Sequence, residues 1–183
     1  MGKVYERIEG RLRTFIEAQP VFFTGTAPNG PDGHVNISPK GLAGTFAVLD
    51  DTTVAYLDYT GSGVETIAHL RENGRIVLMF CAFTGPPNIV RLHGQGEPVL
   101  PHDPRFAVLV ARFGEPALLG LRAVIAVDVT RVSDSCGYSV PFMTYESDRP
   151  TLTQWTENKG PDKLVAYRAE KNSVSIDGLP GLG

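Results

Sequence analysis

The sequence lacks the features that mark several large classes of protein. Its 183 residues include two cysteines, Cys81 and Cys136, which are too few for a disulfide framework and favour a reducing cytoplasm. No apolar run approaches the roughly 18 residues of a membrane-spanning helix, and the charged N-terminus does not have the apolar core of a secretory signal. With 17 Lys+Arg, 20 Asp+Glu and no basic block, the chain is mildly acidic, which argues against nucleic acid as its main partner.

Familiar catalytic motifs and metal-ligand spacings are also missing. No histidine lies two, three or four residues from another, and neither cysteine has a partner at the spacing of a metal site. The Gly-x-Ser-x-Gly motif of serine hydrolases is absent. Cys136 is a candidate nucleophile, but a lone cysteine near a strand end is more often structural. We therefore predict no metal and name no catalytic side chain.

What the sequence does contain indicates one β-rich domain. The hydrophobic fraction of 42% is that of a folded protein, and the 20 glycines and 14 prolines indicate many turns. Apolar spacing predicts a helix from Val4 to Ile16, another that ends at Asn73-Gly74, a third over 103–113, and short helices after Pro150. The β-forming segments lie at 21–26, 34–38, 45–49, 53–57, 76–83, 89–94 and 123–132.

These seven segments predict a sheet of about six strands with short connections. Such connections favour antiparallel pairing, and a sheet of this size usually closes into a small barrel, which removes exposed edges. We therefore predict a single domain with a mainly β (α+β) fold. A glycine at position 94 or 96 is expected to mark a bulge.

A glycine-containing loop, Leu57–Gly63, follows one strand and opens a helix. Backbone amides at a helix start attract phosphate, and Thr60, Ser62 and Thr66 add hydroxyl groups. A dinucleotide fingerprint would require a third glycine at position 66 and an acid about 20 residues further on, and neither is present. The loop is therefore either a tight turn with a helix cap or an anion site of another kind.

A second polar segment, His34–Gly41, ends a predicted strand with Ser-Pro-Lys-Gly. Ser38 and Lys40 offer a hydroxyl and a cation, and Gly41 allows a ligand to approach the backbone. These groups suit a phosphate or the polar edge of a ring cofactor, whereas the alternative is a solvated lysine in a loop. The one tryptophan, Trp155, is either part of the packing of a C-terminal helix or a wall for a planar ligand.

In three places the sequence resembles the pyridoxamine 5′-phosphate oxidase-like superfamily of FMN-binding split barrels. The first is the hairpin that ends in residues 34–41, and the second is Tyr59-Thr60 followed by the helix and turn over 67–76. The third is the strand pair at 77–80 and 90–96. The resemblance spans roughly residues 20–132 and implies that this part forms a six-stranded antiparallel split β-barrel with short flanking helices. Residues from about 135 to 183 would then form a C-terminal extension.

The resemblance also implies a homodimer with FMN in clefts between the subunits. Carried over by position, Asn36, Ile37 and Ser38 would run along the flavin ring, Lys40 would reach its polar edge or phosphate, and Tyr59-Thr60 would form a further contact pair. Where the oxidases place an Arg-Lys pair on the phosphate, this chain has Glu65-Thr66. The phosphate would then depend on Lys40, Thr60, Ser62, Thr66 and the helix start.

The function that the resemblance implies is a flavin-dependent oxidoreductase of unknown small-molecule substrate, in which the flavin carries the chemistry. The oxidases' C-terminal substrate motif of Arg and His is not visible, so oxidation of pyridoxamine phosphate itself is not expected. Two alternatives remain open. One is a deazaflavin-dependent reductase of the same fold, and the other is a non-catalytic protein that binds flavin or haem.

Overall fold

Antiparallel strands make up most of the regular structure in residues 2–182, the part of the chain that the computed structural model describes. The strands are Val4–Tyr5 (β1), Phe22–Thr26 (β2), Asn36–Lys40 (β3), Phe46–Val48 (β4), Thr53–Tyr59 (β5), Arg75–Cys81 (β6), Ile89–Val99 (β7) and Leu121–Ser135 (β8). The helices are Gly10–Glu17 (α1), Glu65–Asn73 (α2), Phe106–Val110 (α3, continued by a 3-10 turn at Ala111–Phe113) and Thr151–Lys171 (α4).

One sheet contains all eight strands of the described residues, in the order β3-β2-β6-β7-β8-β5-β4, with β1 added against β8. The sheet curls around a core of mainly aliphatic side chains, in which Tyr56, Leu78 and Ile125 are fully buried. Residues of β5 and β8 that alternate with these, such as Ala55 and Val124, face a second, smaller cluster covered by α3. The mainly β, antiparallel split-barrel fold is thus confirmed.

The number of strands exceeds the six predicted, and β1 shows why. Val4 and Tyr5 fall in a segment predicted as helix, yet they pair with Ser133 and Val132 of β8, and the helix begins only at Gly10. The apolar spacing of Val4 with later helix positions indicated a helix, but pairing with a strand more than a hundred residues away decides the local structure. Periodicity within one segment cannot show this.

Glycines end one helix and bend one strand where the sequence indicates it. Gly74 closes α2 with a left-handed backbone (φ 69°), the conformation that glycine adopts at least cost. In β7 the register shifts between His93 and Gly94, so the predicted bulge is confirmed at Gly94. A Cβ on Gly94 would lie 2.2 Å from the carbonyl oxygen of Asp128, and only glycine fits there without a shift.

The C-terminal extension consists of a broken helix and a returning tail. Gly160 has φ 71° and ψ 169° and divides α4 into two short helices, one with Trp155 and the other with Tyr167, where short helices are predicted after Pro150. The two aromatic rings pack edge to face across the break, with centroids 5.1 Å apart. The tail over 172–182 then turns back and forms a bridge between Val174 and Pro180. No helix within residues 2–182 has both the length and the apolar character to cross a membrane.

Candidate functional site

Strand β3 has an edge that no other described strand covers, because it ends the sheet and pairs with β2 alone. Pro39 has no N–H, so we infer that its backbone faces away from β2. Ile37, two residues earlier, shares this orientation and therefore presents its N–H and C=O along the open edge. Its side chain is 69% exposed, and that of Val35 just before the strand is 71% exposed. The edge thus offers hydrogen-bonding groups beside apolar surface.

The polar side chains of β3 are partly buried and bonded to their own neighbours. Asn36 Nδ2 donates to Thr26 Oγ1 (3.1 Å) and Thr66 Oγ1 (3.0 Å), and Ser38 Oγ donates to Asn36 Oδ1 (3.1 Å). Thr26 Oγ1 also lies 3.0 Å from Nδ1 of the fully buried His69. Burial lowers the pKa of His69, which keeps the ring neutral. Asn36 and Thr66, predicted as cofactor contacts, are therefore engaged with each other.

Lys40 and Arg122 both contact the buried carboxylate of Asp58. Lys40 Nζ lies 3.0 Å from Asp58 Oδ1, and Arg122 Nε lies 2.7 Å from Oδ2. Burial alone would raise the pKa of Asp58, but the charges of Lys40 and Arg122 outweigh it and hold the pKa below its ordinary value. Arg122 Nη1 also donates to the carbonyl of Gly63 (2.8 Å) and to Oδ1 of Asn172 (2.9 Å). The ammonium of Lys40 is thus directed toward the interior.

Hydrogen bonds from α4 and from the residue just after it hold the loop that follows β5 in place. Thr60 is buried, and its Oγ1 donates to the carbonyl of Gly120 (2.8 Å) while it accepts from Nε of Arg168 (2.8 Å). Asn172, just after α4, donates to the carbonyl of Gly61 (3.0 Å). Burial and the nearby charge of Arg122 lower the pKa of Arg168. The C-terminal extension is therefore part of the candidate site.

The start of α2 is covered by the tail. Glu65 Oε1 accepts a hydrogen bond from the backbone N–H of Ile176 (3.3 Å). Asp177 accepts from the backbone N–H of His34 (2.8 Å) and lies 2.6 Å from Nδ1 of the same residue. These hydrogen bonds lower the pKa of Asp177, so its carboxylate is ionised at neutral pH. Three hydroxyl groups are predicted to bind phosphate. Those of Thr60 and Thr66 belong to buried residues, whereas that of Ser62 belongs to an exposed residue.

Two adjoining grooves separate the loop after β3 from the start of α4. One, of about 470 Å³, is lined by Tyr59, whose hydroxyl donates to the carbonyl of Ala117 (2.9 Å). The other, of about 660 Å³, is lined by Trp155, which packs on Tyr167 and also faces the groove. Leu42 lines both grooves and has φ 73°, a rare conformation for a branched residue and one that is often found at binding sites.

Sequence reasoning missed Asp58, Arg122 and Arg168, although two of them carried a signal. Asp58 and Arg122 are charged residues inside apolar strands, and a charge that is buried there requires a partner. Arg168 lies on a largely polar helix, where nothing in the sequence distinguishes it from a solvated arginine. Among residues 2–182, no group of three or more His, Cys, Asp and Glu side chains could hold a metal ion.

Comparison with known proteins places these features in a family context. The family described as pyridoxamine 5′-phosphate oxidase matches residues 8–136. The Aspergillus flavus protein ustO, described as a pyridoxamine 5′-phosphate oxidase family protein, is 44% identical over 194 residues, which cover 97% of this chain and 77% of that protein.

Solved structures of similar shape are more distant in sequence. A HupZ variant of Group A Streptococcus has a TM-score of 0.55 and 22% identity, over 70% of this chain and 99% of that chain. A FAD-binding protein of Mesorhizobium loti has a TM-score of 0.49 and 13% identity, over 73% of this chain and 95% of that chain. At 22% identity, the likeness to HupZ concerns the fold alone.

Proposed function

The chain belongs to the pyridoxamine 5′-phosphate oxidase family, and on this basis we propose that it is a flavin-dependent oxidoreductase that acts on a small molecule as a homodimer. A bound flavin would supply hydride transfer at its N5 atom. The chain's own contribution would be to bind and orient the ring and to exclude water from it. No side chain is required as a general base.

The observation that carries the proposal is the open edge of β3. The pyrimidine end of a flavin has a hydrogen-bond donor between acceptors, and its benzene end is apolar. Ile37 offers an N–H and a C=O along this edge together with an exposed aliphatic side chain. An edge of this kind suits a planar heterocycle that needs both types of contact. Asn36, Ser38 and Lys40 would support the strand from the interior.

The phosphate of FMN fits less well than its ring. At the two positions where the oxidases have cations, Glu65 accepts a hydrogen bond from the tail and Thr66 is bonded to Asn36. Lys40 contributes its charge to the buried carboxylate of Asp58. The chain therefore supports a flavin ring at β3, and it does not provide a phosphate receptor at the start of α2.

Exposed apolar surface supports the proposed homodimer. Besides Val35 and Ile37, the irregular segment over 137–149 exposes Tyr138 (82%) and Phe142 (84%). Large exposed apolar side chains on an open strand and on an adjoining arm are typical of a surface that pairs with another chain.

The free thiol of Cys136 is exposed, which supports a reducing, cytoplasmic location.

The test combines the spectrum of the purified protein with its oligomeric state. We expect flavin absorbance, a flavin in the mass spectrum of the released ligand, a dimer by light scattering, and bleaching of the flavin by a nicotinamide cofactor. Ile37→Asp is expected to abolish flavin binding, whereas Val165→Asp, at a similarly exposed position on α4, is expected to retain it.

A monomer that binds no flavin would refute the proposal. A deazaflavin or haem in the released ligand would favour one of the alternatives, and a bound flavin that no nicotinamide reduces would favour a carrier.

A further inference from the structure

The chain's own tail occupies the surface at the start of α2. The backbone N–H groups of Gly181 and Leu182 donate to the carbonyls of Ser173 (2.8 Å) and Asn172 (2.7 Å), so the tail is closed on itself. Gly181 lies so close to α2 that a Cβ there would be 2.7 Å from Cγ1 of Val64. Leu182 packs against the main core. The tail is therefore an integral part of the fold at this point.

Two carboxylates face this surface. Glu65, in the first turn of α2, accepts from Ile176 of the tail, and Asp177 is the next residue along the tail. Asp177 lies 2.6 Å from Nδ1 of His34. On the same helix, Arg71 directs its guanidinium to the carbonyl of Gly181. A phosphate dianion placed here would meet two carboxylates, and like charges at short distance repel.

Apart from the exposed hydroxyl of Ser62, the side chains nearby that could bind phosphate are already engaged. Thr66 is buried against Asn36, and Thr60 is bonded to both Gly120 and Arg168. The charges of Lys40 and Arg122 are directed at the carboxylate of Asp58. Arg168, like Arg71, has no carboxylate partner among the described residues, and its contribution needs a separate test.

Resting on the proposed function, we infer that this site takes an isoalloxazine with an uncharged polyol side chain, riboflavin-like, in preference to its phosphate ester. Carboxylates accept hydrogen bonds from hydroxyl groups, so Glu65 and Asp177 suit the ribityl hydroxyls of such a ligand. The same two groups disfavour the terminal phosphate of FMN. The exchange of Arg-Lys for Glu65-Thr66 is then a change in ligand specificity.

The experiment titrates the ligand-free full-length protein with riboflavin and with FMN and follows the quenching of flavin fluorescence. We expect riboflavin to bind about tenfold more tightly than FMN at low salt, which corresponds to a modest difference in binding free energy. The difference should shrink as ionic strength rises, because salt screens the repulsion.

Charge variants test the cause of this preference. Glu65→Arg should tighten FMN binding about fivefold or more, since one partly exposed charge contact is worth about that much, and should weaken riboflavin binding, because an acceptor for the ribityl hydroxyls is lost. Glu65→Gln keeps the shape of the side chain and should give a smaller change in the same direction. Glu170→Arg, an equal charge reversal at an exposed position of α4, is the control and should change neither affinity.

The outcomes separate this inference from the proposed function. FMN binding as tightly as riboflavin, or more tightly, overturns the inference and leaves flavin binding intact. A selective loss of FMN affinity in Arg168→Gln would place the phosphate at α4 and overturn it as well. If neither flavin binds to the folded dimer, the proposed function fails and the inference fails with it.

Discussion

Arg122 Nε donates to Oδ2 of Asp58 across 2.7 Å in the interior, and this contact joins β8 to β5. The same guanidinium reaches Asn172 just after α4, so a single buried arginine connects two strands to the C-terminal extension. Lys40 contacts the other oxygen of Asp58 from the end of β3. The carboxylate of Asp58 is thus the point where three parts of the barrel meet.

Asp58→Asn should destabilise the fold strongly. The change leaves the buried Arg122 and the partly buried Lys40 without a counter-charge. Breaking a buried ion pair by removing one partner costs about 3–5 kcal/mol. Urea unfolding followed by circular dichroism measures the loss. Asp51→Asn, which removes an exposed ion pair with Arg7, is the control and should cost at most about 1 kcal/mol. Equal losses in the two variants would contradict this account.

Acid should weaken the protein partly through Asp58. Its pKa is lower in the folded than in the unfolded state, so its contribution is fully present above about pH 4 and is lost as the pH falls through the folded-state pKa. The free energy of unfolding of the wild type should therefore fall below about pH 4 more steeply than that of Asp58→Asn. Parallel curves would show that the carboxyl does not titrate in this way.

His69 should add a second pH dependence, closer to neutrality. Burial lowers its pKa from the ordinary value of about 6.5, so the unfolded chain takes up a proton first and stability is lost as the pH falls below about 6.5. The slope is at most about 1.4 kcal/mol per pH unit. His69→Gln retains an amide near Thr26 and cannot titrate, so its stability should change less between pH 7.5 and 5.5. His93, which is present in both proteins, cancels in this comparison.

Gly94→Ala should destabilise the sheet at the β7 bulge. The new methyl group would approach the backbone carbonyl of Asp128, which cannot move without disturbing β8. Overpacking of this kind costs about 1–3 kcal/mol. Gly30→Ala is the matched control, because no atom lies within 4 Å of a Cβ at that position. Thermal unfolding of both variants measures the loss of stability. A Gly94→Ala protein as stable as the control would contradict the close backbone contact at the bulge.

The fold was predictable where local sequence determines it. The turn at Asn73-Gly74 and the bulge near Gly94 follow from the backbone freedom of glycine, which acts within a few residues. The pairing of Val4 with Ser133 depends on a strand far along the chain, and no local pattern indicates it. The same limit explains the end of β3, where Pro39 and Lys40 extend the strand beyond the alternating segment.

The candidate site was predictable in part. The two-residue alternation along β3 was predictable, but its orientation was not, because the polar Asn36 and Ser38 are partly buried whereas the apolar Ile37 is exposed. That Lys40 contacts Asp58 depends on how the barrel curls, which sequence patterns do not specify. The positions of Arg168 and Asp177 depend on a C-terminal extension for which the sequence offered only weak signals.

The uncovered margin of β3 has a consequence for handling the protein. If the protein pairs as proposed, a subunit that has not yet paired would expose the free edge and aliphatic side chains of β3, to which strands of other chains could bind, and Pro39 interrupts that edge at a single place. Recombinant protein that is synthesised faster than its subunits can pair should therefore precipitate. Soluble yield should rise when a charged residue replaces Val35, even though the proposed pairing of subunits would then be impaired.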